Sequence, residues 1–245
     1  MMQCSVSFNN KDLDISCFVF KPAIIIIDNI VQGLKQFSID TENLGCVQSS
    51  IFRSIHGNMI IWFGAWQKQN SDEKEKLITN LKSMLTNVKK MAVLVEHNFL
   101  DAYAGESRDG SSNVKFCTGD IISITSATTP TTKLDDLCYA VLAIFKSRFA
   151  KTEGISAGIC FKGQSIPSVL CIQVWKSLQF CYSWVLNSDH RKWMIPYLES
   201  FSINMKYDIY RIVYVSGEHV VNLPYISLHQ MLENEENRKE QVMQH

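Results

Sequence analysis

Apolar residues gather in short runs of two kinds along this chain. Residues 13–20 (LDISCFVF), 47–55, 59–66 and 91–97 are rich in β-branched and aromatic residues, and their length and composition predict strands. Between them the apolar positions recur at helical spacing. Ile27, Ile30, Val31, Leu34 and Phe37 follow Pro22, which suits a first helical turn. Leu77, Leu81, Met84, Leu85 and Val88 follow Asn70, with Glu73 three residues on as a capping-box partner. His56-Gly57-Asn58 joins the second and third strands, and Gly57 and Asn58 tolerate the positive φ of a tight hairpin. The order of elements is βαββαβ.

The same order follows a polar stretch at 104–113 (AGESRDGSSN). Residues 119–126 read as a strand. Thr132 and Asp135 then frame the start of a helix with a stripe of Leu134, Leu137, Cys138, Val141, Phe145 and Phe149. Ile155–Gly163 and Ser168–Trp175 form a strand pair, a helix falls near 188–201 with Pro196 liable to kink it, and 207–215 closes the unit as a strand. Phe52-Arg53 and Trp66 stand as far ahead of Phe161-Lys162 as of Trp175, in that order. With the shared element order, this points to an internal duplication.

These patterns predict an α+β protein of two tandem βαββαβ (ferredoxin-like) halves. Residues 1–103 form the first half, 104–118 a polar connector, 119–218 the second half and 219–245 a charged tail. MIIWFGAW and SVLCIQVW are apolar on both faces, whereas a sheet with one face in water alternates. The two halves are therefore expected to pack together, sheet to sheet or through a continuous sheet. The competing arrangement is a longin-like ββαββ unit with a first hairpin made from 4–7 and 13–20.

Composition narrows the function classes. The 245 residues are 46% apolar and 20% charged, with 24 Lys+Arg balancing 24 Asp+Glu. That excludes a disordered chain and argues against nucleic acid, which calls for a basic surplus. The third strands also lack the basic lead and aromatic spacing of RNA-recognition modules. No run approaches the roughly 20 apolar residues of a membrane span, and the N-terminus does not read as a secretory signal. Most of the eight cysteines sit in apolar runs with no CxxC pair, so reduced core thiols in cytosol or nucleus are expected.

No phosphate loop, dinucleotide fingerprint, zinc-protease or nucleophile-elbow motif occurs, so no cofactor, metal or catalytic residue is assigned. The segment 97–113 concentrates His97, Asp101, Glu106, Arg108 and Asp109 just after a strand, where ligand sites often lie. These five are the candidate binding residues. His97 and Asp101 would share a face if helical. The plain alternative is a solvated connector, although Phe99, Leu100 and Tyr103 call for packing.

The stretches SSIFRSIHGNMIIWFGAWQK, FLDAYAGESRDGSS and YAVLAIFKSRF resemble a family of uncharacterised land-plant proteins over most of the chain, the charged tail excepted. The resemblance implies a plant, intracellular, single-chain protein and assigns no activity. The expectation is a non-enzymatic interaction or regulatory protein with a protein partner. The alternatives are an enzyme or small-ligand binder with its site between the halves, or an RNA-binding module.

Overall fold

The computed structural model describes residues 3–8, 13–187 and 189–216; the charged tail at 219–245 lies outside them. Ten strands run in the order β1 (Cys4–Ser7), β2 (Leu13–Pro22), β3 (Cys46–Ser54), β4 (Ile60–Gln67), β5 (Ala92–Ser107), β6 (Asn113–Phe116), β7 (Ile121–Thr128), β8 (Ile155–Gly163), β9 (Ser168–Trp175) and β10 (Asn204–Val215). The helices are α1 (Ile27–Glu42), α2 (Ser71–Met84), α3 (Thr86–Lys89), α4 (Leu134–Arg148), α5 (Leu178–Leu186) and α6 (Ile195–Glu199).

Eight strands close into one antiparallel barrel in the order β10-β3-β4-β2-β5-β8-β9-β7. This corrects the expected architecture of two tandem βαββαβ halves packed together. The pairings that do so are β5 with β8 and β10 with β3, which join strands far apart in sequence and leave no free edge. The longin-like alternative is also overturned, because β1 pairs with β6 and not with β2.

Closure explains why the strands are apolar on both faces. Along β2, Ile15 and Cys17 point into the barrel, while Phe18 and Phe20 point outward under α1 and α2. Along β4, Ile61, Phe63 and Ala65 point in, and Ile60, Trp62 and Trp66 point out. A second outer layer forms where α4, α5 and α6 cover β7, β8 and β9. The outer tryptophans are held by hydrogen bonds as well as by packing. Trp62 Nε1 donates to Ser38 Oγ at 2.8 Å, Trp66 Nε1 to Ser16 Oγ at 2.7 Å and Trp175 Nε1 to Ser123 Oγ at 2.9 Å. Each bond satisfies a donor that would be costly to bury alone.

Local signals read from the sequence meet the structure unevenly. The capping box forms, with the Asn70 side chain accepting from Glu73 N and Glu73 accepting from Asn70 N. Thr132 does not cap a helix; it sits inside a short 3-10 turn, Thr131–Lys133, and α4 begins after it. Gly57 does not take positive φ, because the β3–β4 connection is longer than a two-residue hairpin and is tied by Ser54 Oγ accepting from Gly57 N at 2.7 Å. Pro196 lies in a continuous helical run whose turn just ahead of it, His190–Met194, is π-helical, so the regular helix is interrupted where the proline lacks an N–H to donate.

The two-stranded β1–β6 ribbon closes one end of the barrel. Cys4, Val6, Phe8, Val114 and Phe116 join the interior cluster with Phe52, Phe63 and Phe161. Phe116 meets Phe52 and Phe63 edge-on, both with centroids 5.8 Å away. Phe8 lies flat against Gly105 of β5, where an added Cβ would fall 1.9 Å from its ring. Gly105→Ala is therefore expected to unseat the ribbon and cost about 1–3 kcal/mol. Urea unfolding of Gly105→Ala, Phe8→Ala and the double variant checks this: the two losses should not add.

Candidate functional site

The barrel interior is filled unequally. An eight-stranded barrel has room either for its own side chains or for one small ligand. Toward the β1–β6 ribbon, Phe8, Phe52, Phe63, Phe116 and Phe161 fill the bore. Toward the opposite end the inward residues are smaller or polar, including Cys17, Val19, Ser126, Thr128 and Ser168, and they leave an open cavity of about 180 Å³. Its walls come from β2, β4, β5, β7, β9 and β10. Register fixes who faces in: Asn204, Lys206, Asp208 and Tyr210 of β10 lie opposite Thr128, Ser126, Ile124 and Ile122 of β7.

The polar groups of this cavity fall into three sets. At the rim, Lys206 Nζ lies 3.7 Å from Glu96 Oε2, both partly in solvent. On the wall, Asn98 Nδ2 donates to Ser168 Oγ at 3.3 Å. Deeper on β10, Tyr210 stands on the same face as Asp208, whose Oδ1 accepts from Ile209 N at 2.8 Å. Burial, reinforced by the Asp208 charge, pushes the Tyr210 phenol up, so it stays protonated. Burial likewise pushes the Cys17 thiol up to about 12, with Glu96 adding to it, so it is almost wholly protonated and slow to react at neutral pH. The site therefore offers the Asp208 carboxylate and the Tyr210 phenol on its wall, and Glu96 at its rim, against the apolar Val19, Ile61, Leu100 and Leu170.

The five residues singled out from sequence do not converge. All lie on β5 or the turn after it. His97 and Asp101 are on a strand, not a helix, so they share a face but stand about 13 Å apart and cannot ligate one ion together. His97 packs against Phe18 on the outer face, and burial, with Lys82 nearby, lowers its pKa. Asp101 binds Lys68 and Gln164 at the surface. Glu106 faces Lys146 at 3.6 Å. Arg108 gives its guanidinium to backbone carbonyls: Nε to Ile155 O, and an amino nitrogen to Phe149, Ala150 and Thr152. Asp109 closes a turn with Ser107 and Ser111, whose hydrogen bonds lower its pKa. Among the described residues, no group of three or more His, Cys, Asp or Glu is placed to hold a metal.

Sequence reading missed Asp208 and Tyr210. The signal was present in KYDIYRI, where alternation puts Lys206, Asp208 and Tyr210 on the face that Ile212 shares with the interior. It also missed Asp14, which is buried and gathers Lys74 at 2.8 Å, Lys68 at 3.0 Å, Gln69 N at 3.0 Å and Gln164 Nε2 at 3.0 Å. This network ties β2 to the start of α2 and to the β8–β9 turn.

Three comparisons bear on this architecture. Residues 98–210 match a family model described as Domain of unknown function (DUF7392). No curated protein matches the chain. The crystal structure of an anthrone oxidase-like protein superposes with a TM-score of 0.72 at 14% identity, covering 88% of this chain and 98% of that one. A candidate monooxygenase from Fusobacterium nucleatum gives 0.59 at 7% identity, covering 84% and 95%. Another from Lactobacillus acidophilus gives 0.54 at 10%, covering 84% and 96%. At such identities the likeness shows the fold.

These neighbours, together with the open cavity, overturn the expectation of a non-enzymatic interaction or regulatory protein. The open cavity lies in the barrel bore, walled by strands from both parts of the chain.

Two outcomes are expected at the residues outside the cavity. Arg108→Met should cost about 2 kcal/mol or more by leaving the carbonyls of Ile155, Phe149, Ala150 and Thr152 without its guanidinium, measured by urea unfolding. Burial raises the pKa of Asp14, but its hydrogen bonds from Lys74, Gln164, Gln69 N and Lys68 outweigh that and bring it below 3.8. A depressed carboxylate stabilises above its unfolded pKa, and that contribution is lost as pH falls through the folded one. Unfolding free energies between pH 5 and pH 2 should therefore fall less steeply in Asp14→Asn than in the unsubstituted protein.

Proposed function

We propose that this protein binds a small, mostly apolar organic molecule bearing a hydroxyl group in the open end of the barrel. The observation that carries this is the cavity of about 180 Å³ with Asp208 and Tyr210 set into an apolar wall. A hydroxyl on the ligand donates to the Asp208 carboxylate, an exchange that is stronger away from water than in it. The apolar body of the ligand replaces water against Val19, Ile61 and Leu170. Lys206 and Glu96 flank the way in and keep the rim polar.

An oxidative conversion of the bound molecule is part of this proposal. It is supported by the oxidase-like and monooxygenase descriptions of the proteins that share the fold. The proposed setting is a plant cytosol or nucleus, supported by the land-plant resemblance of the three stretches quoted above and by cysteine usage.

Titration with 1-naphthol and with naphthalene, followed by intrinsic fluorescence, tests the binding reading. Saturable binding is expected, with 1-naphthol favoured by about tenfold or more, as a charge-assisted hydrogen bond implies. Asp208→Asn should erase most of that preference, and Ser126→Phe, which fills the bore, should weaken both ligands. Equal, unsaturable binding of the two compounds would overturn the proposal. Oxygen uptake with hydroxylated aromatics is the separate readout for catalysis.

A further inference from the structure

Two thiols stand together outside the barrel cavity. Cys160 of β8 and Cys171 of β9 are directly opposite in the antiparallel register, and their Sγ atoms lie 3.0 Å apart. Both face the outer layer beneath α4. Cys160 is fully buried, whereas Cys171 is half-buried and lines a groove of about 60 Å³ bordered by Val141, Phe145, Met194 and Leu198. A space of that size admits a molecule as small as water or hydrogen peroxide. Opposed residues of an antiparallel pair have Cα atoms about 4.5–5.5 Å apart, inside the ~4.4–6.8 Å span of disulfides. Rotation of the two side chains is then enough to bond them, with the ladder on either side left in place.

We propose that Cys160 and Cys171 form an oxidisable pair that a peroxide-class oxidant closes into a cross-strand disulfide. Cys171, reached through the groove, reacts first. Its sulfur attacks one peroxide oxygen, the O–O bond breaks, and the products are a sulfenic acid and one water. The Cys160 sulfur then attacks the sulfenic sulfur and displaces a second water. Two thiols thus lose two protons and two electrons, and the peroxide is reduced to two waters. Contact with Cys160 and burial hold the Cys171 thiol above its ordinary pKa. Thiolate is the attacking species, so closure is slow at neutral pH. Tyr103, whose hydroxyl donates to Cys138 O at 3.5 Å, and Cys138 border the pair from β5 and α4. The inference is independent of the ligand reading, since neither sulfur faces the bore.

The test uses the full chain, reduced and freed of reductant. It is treated with hydrogen peroxide in native buffer, quenched with catalase, unfolded in iodoacetamide and digested with trypsin without reductant. Trypsin cuts after Lys162 and separates the two cysteines. The expected product is one linked peptide pair joining Cys160 to Cys171. It should be two hydrogens lighter than the reduced peptides together, and dithiothreitol should abolish it. Cys138→Ser should retain it, while Cys171→Ser should lose it and keep its circular dichroism. The proposal is overturned if both residues carry the iodoacetamide label after native treatment. It is equally overturned if Cys171 proceeds to a sulfinic acid unlinked, or if the link forms only when oxidation is done in denaturant.

Discussion

Everything in this molecule depends on two strand pairings that close a sheet on itself. Antiparallel pairing of β5 with β8 and of β10 with β3 leaves the barrel without a free edge. Once the sheet is a closed cylinder, every strand has an inside and an outside, and each must be apolar for a different reason. The outside is buried under helices, with Trp62, Trp66 and Trp175 anchored by serine hydroxyls. The inside is buried by curvature, and what the strands place there decides how much of the bore remains open.

Much of the local structure was legible in the chain. The runs at Ile155–Gly163 and Ser168–Trp175 coincide with strands, and the Asn70–Glu73 box marks the start of α2. Doubly apolar strands such as MIIWFGAW correctly required a covered second face. The way that face is covered was not legible, because periodicity reports that a face is buried and says nothing about what lies against it. A sheet against another sheet and a sheet curled round its own side chains leave the same pattern of apolar residues. The distinguishing fact is a pairing between strands remote in sequence, and no local propensity encodes that.

The site follows the same logic. His97, Asp101, Glu106, Arg108 and Asp109 draw attention because they crowd together along the sequence. Yet β5 continues through Ser107, so its alternation and the turn after it disperse them over the surface. Neighbouring positions behave in opposite ways: Glu96 and Asn98 enter the cavity while His97 between them faces outward. Asp208 and Tyr210 are inconspicuous in sequence, since an isolated acid in a strand gives no motif. They gain chemical meaning only when the barrel places them side by side on the wall of one bore.

The β1–β6 ribbon shapes the traffic of anything held in that bore. A two-stranded ribbon is marginal by itself and holds here because its phenylalanines are sunk among those of the barrel. It makes the cylinder a vessel with a floor. A guest that arrives through the mouth must leave through it, so incoming and outgoing molecules share one doorway and exclude each other while inside.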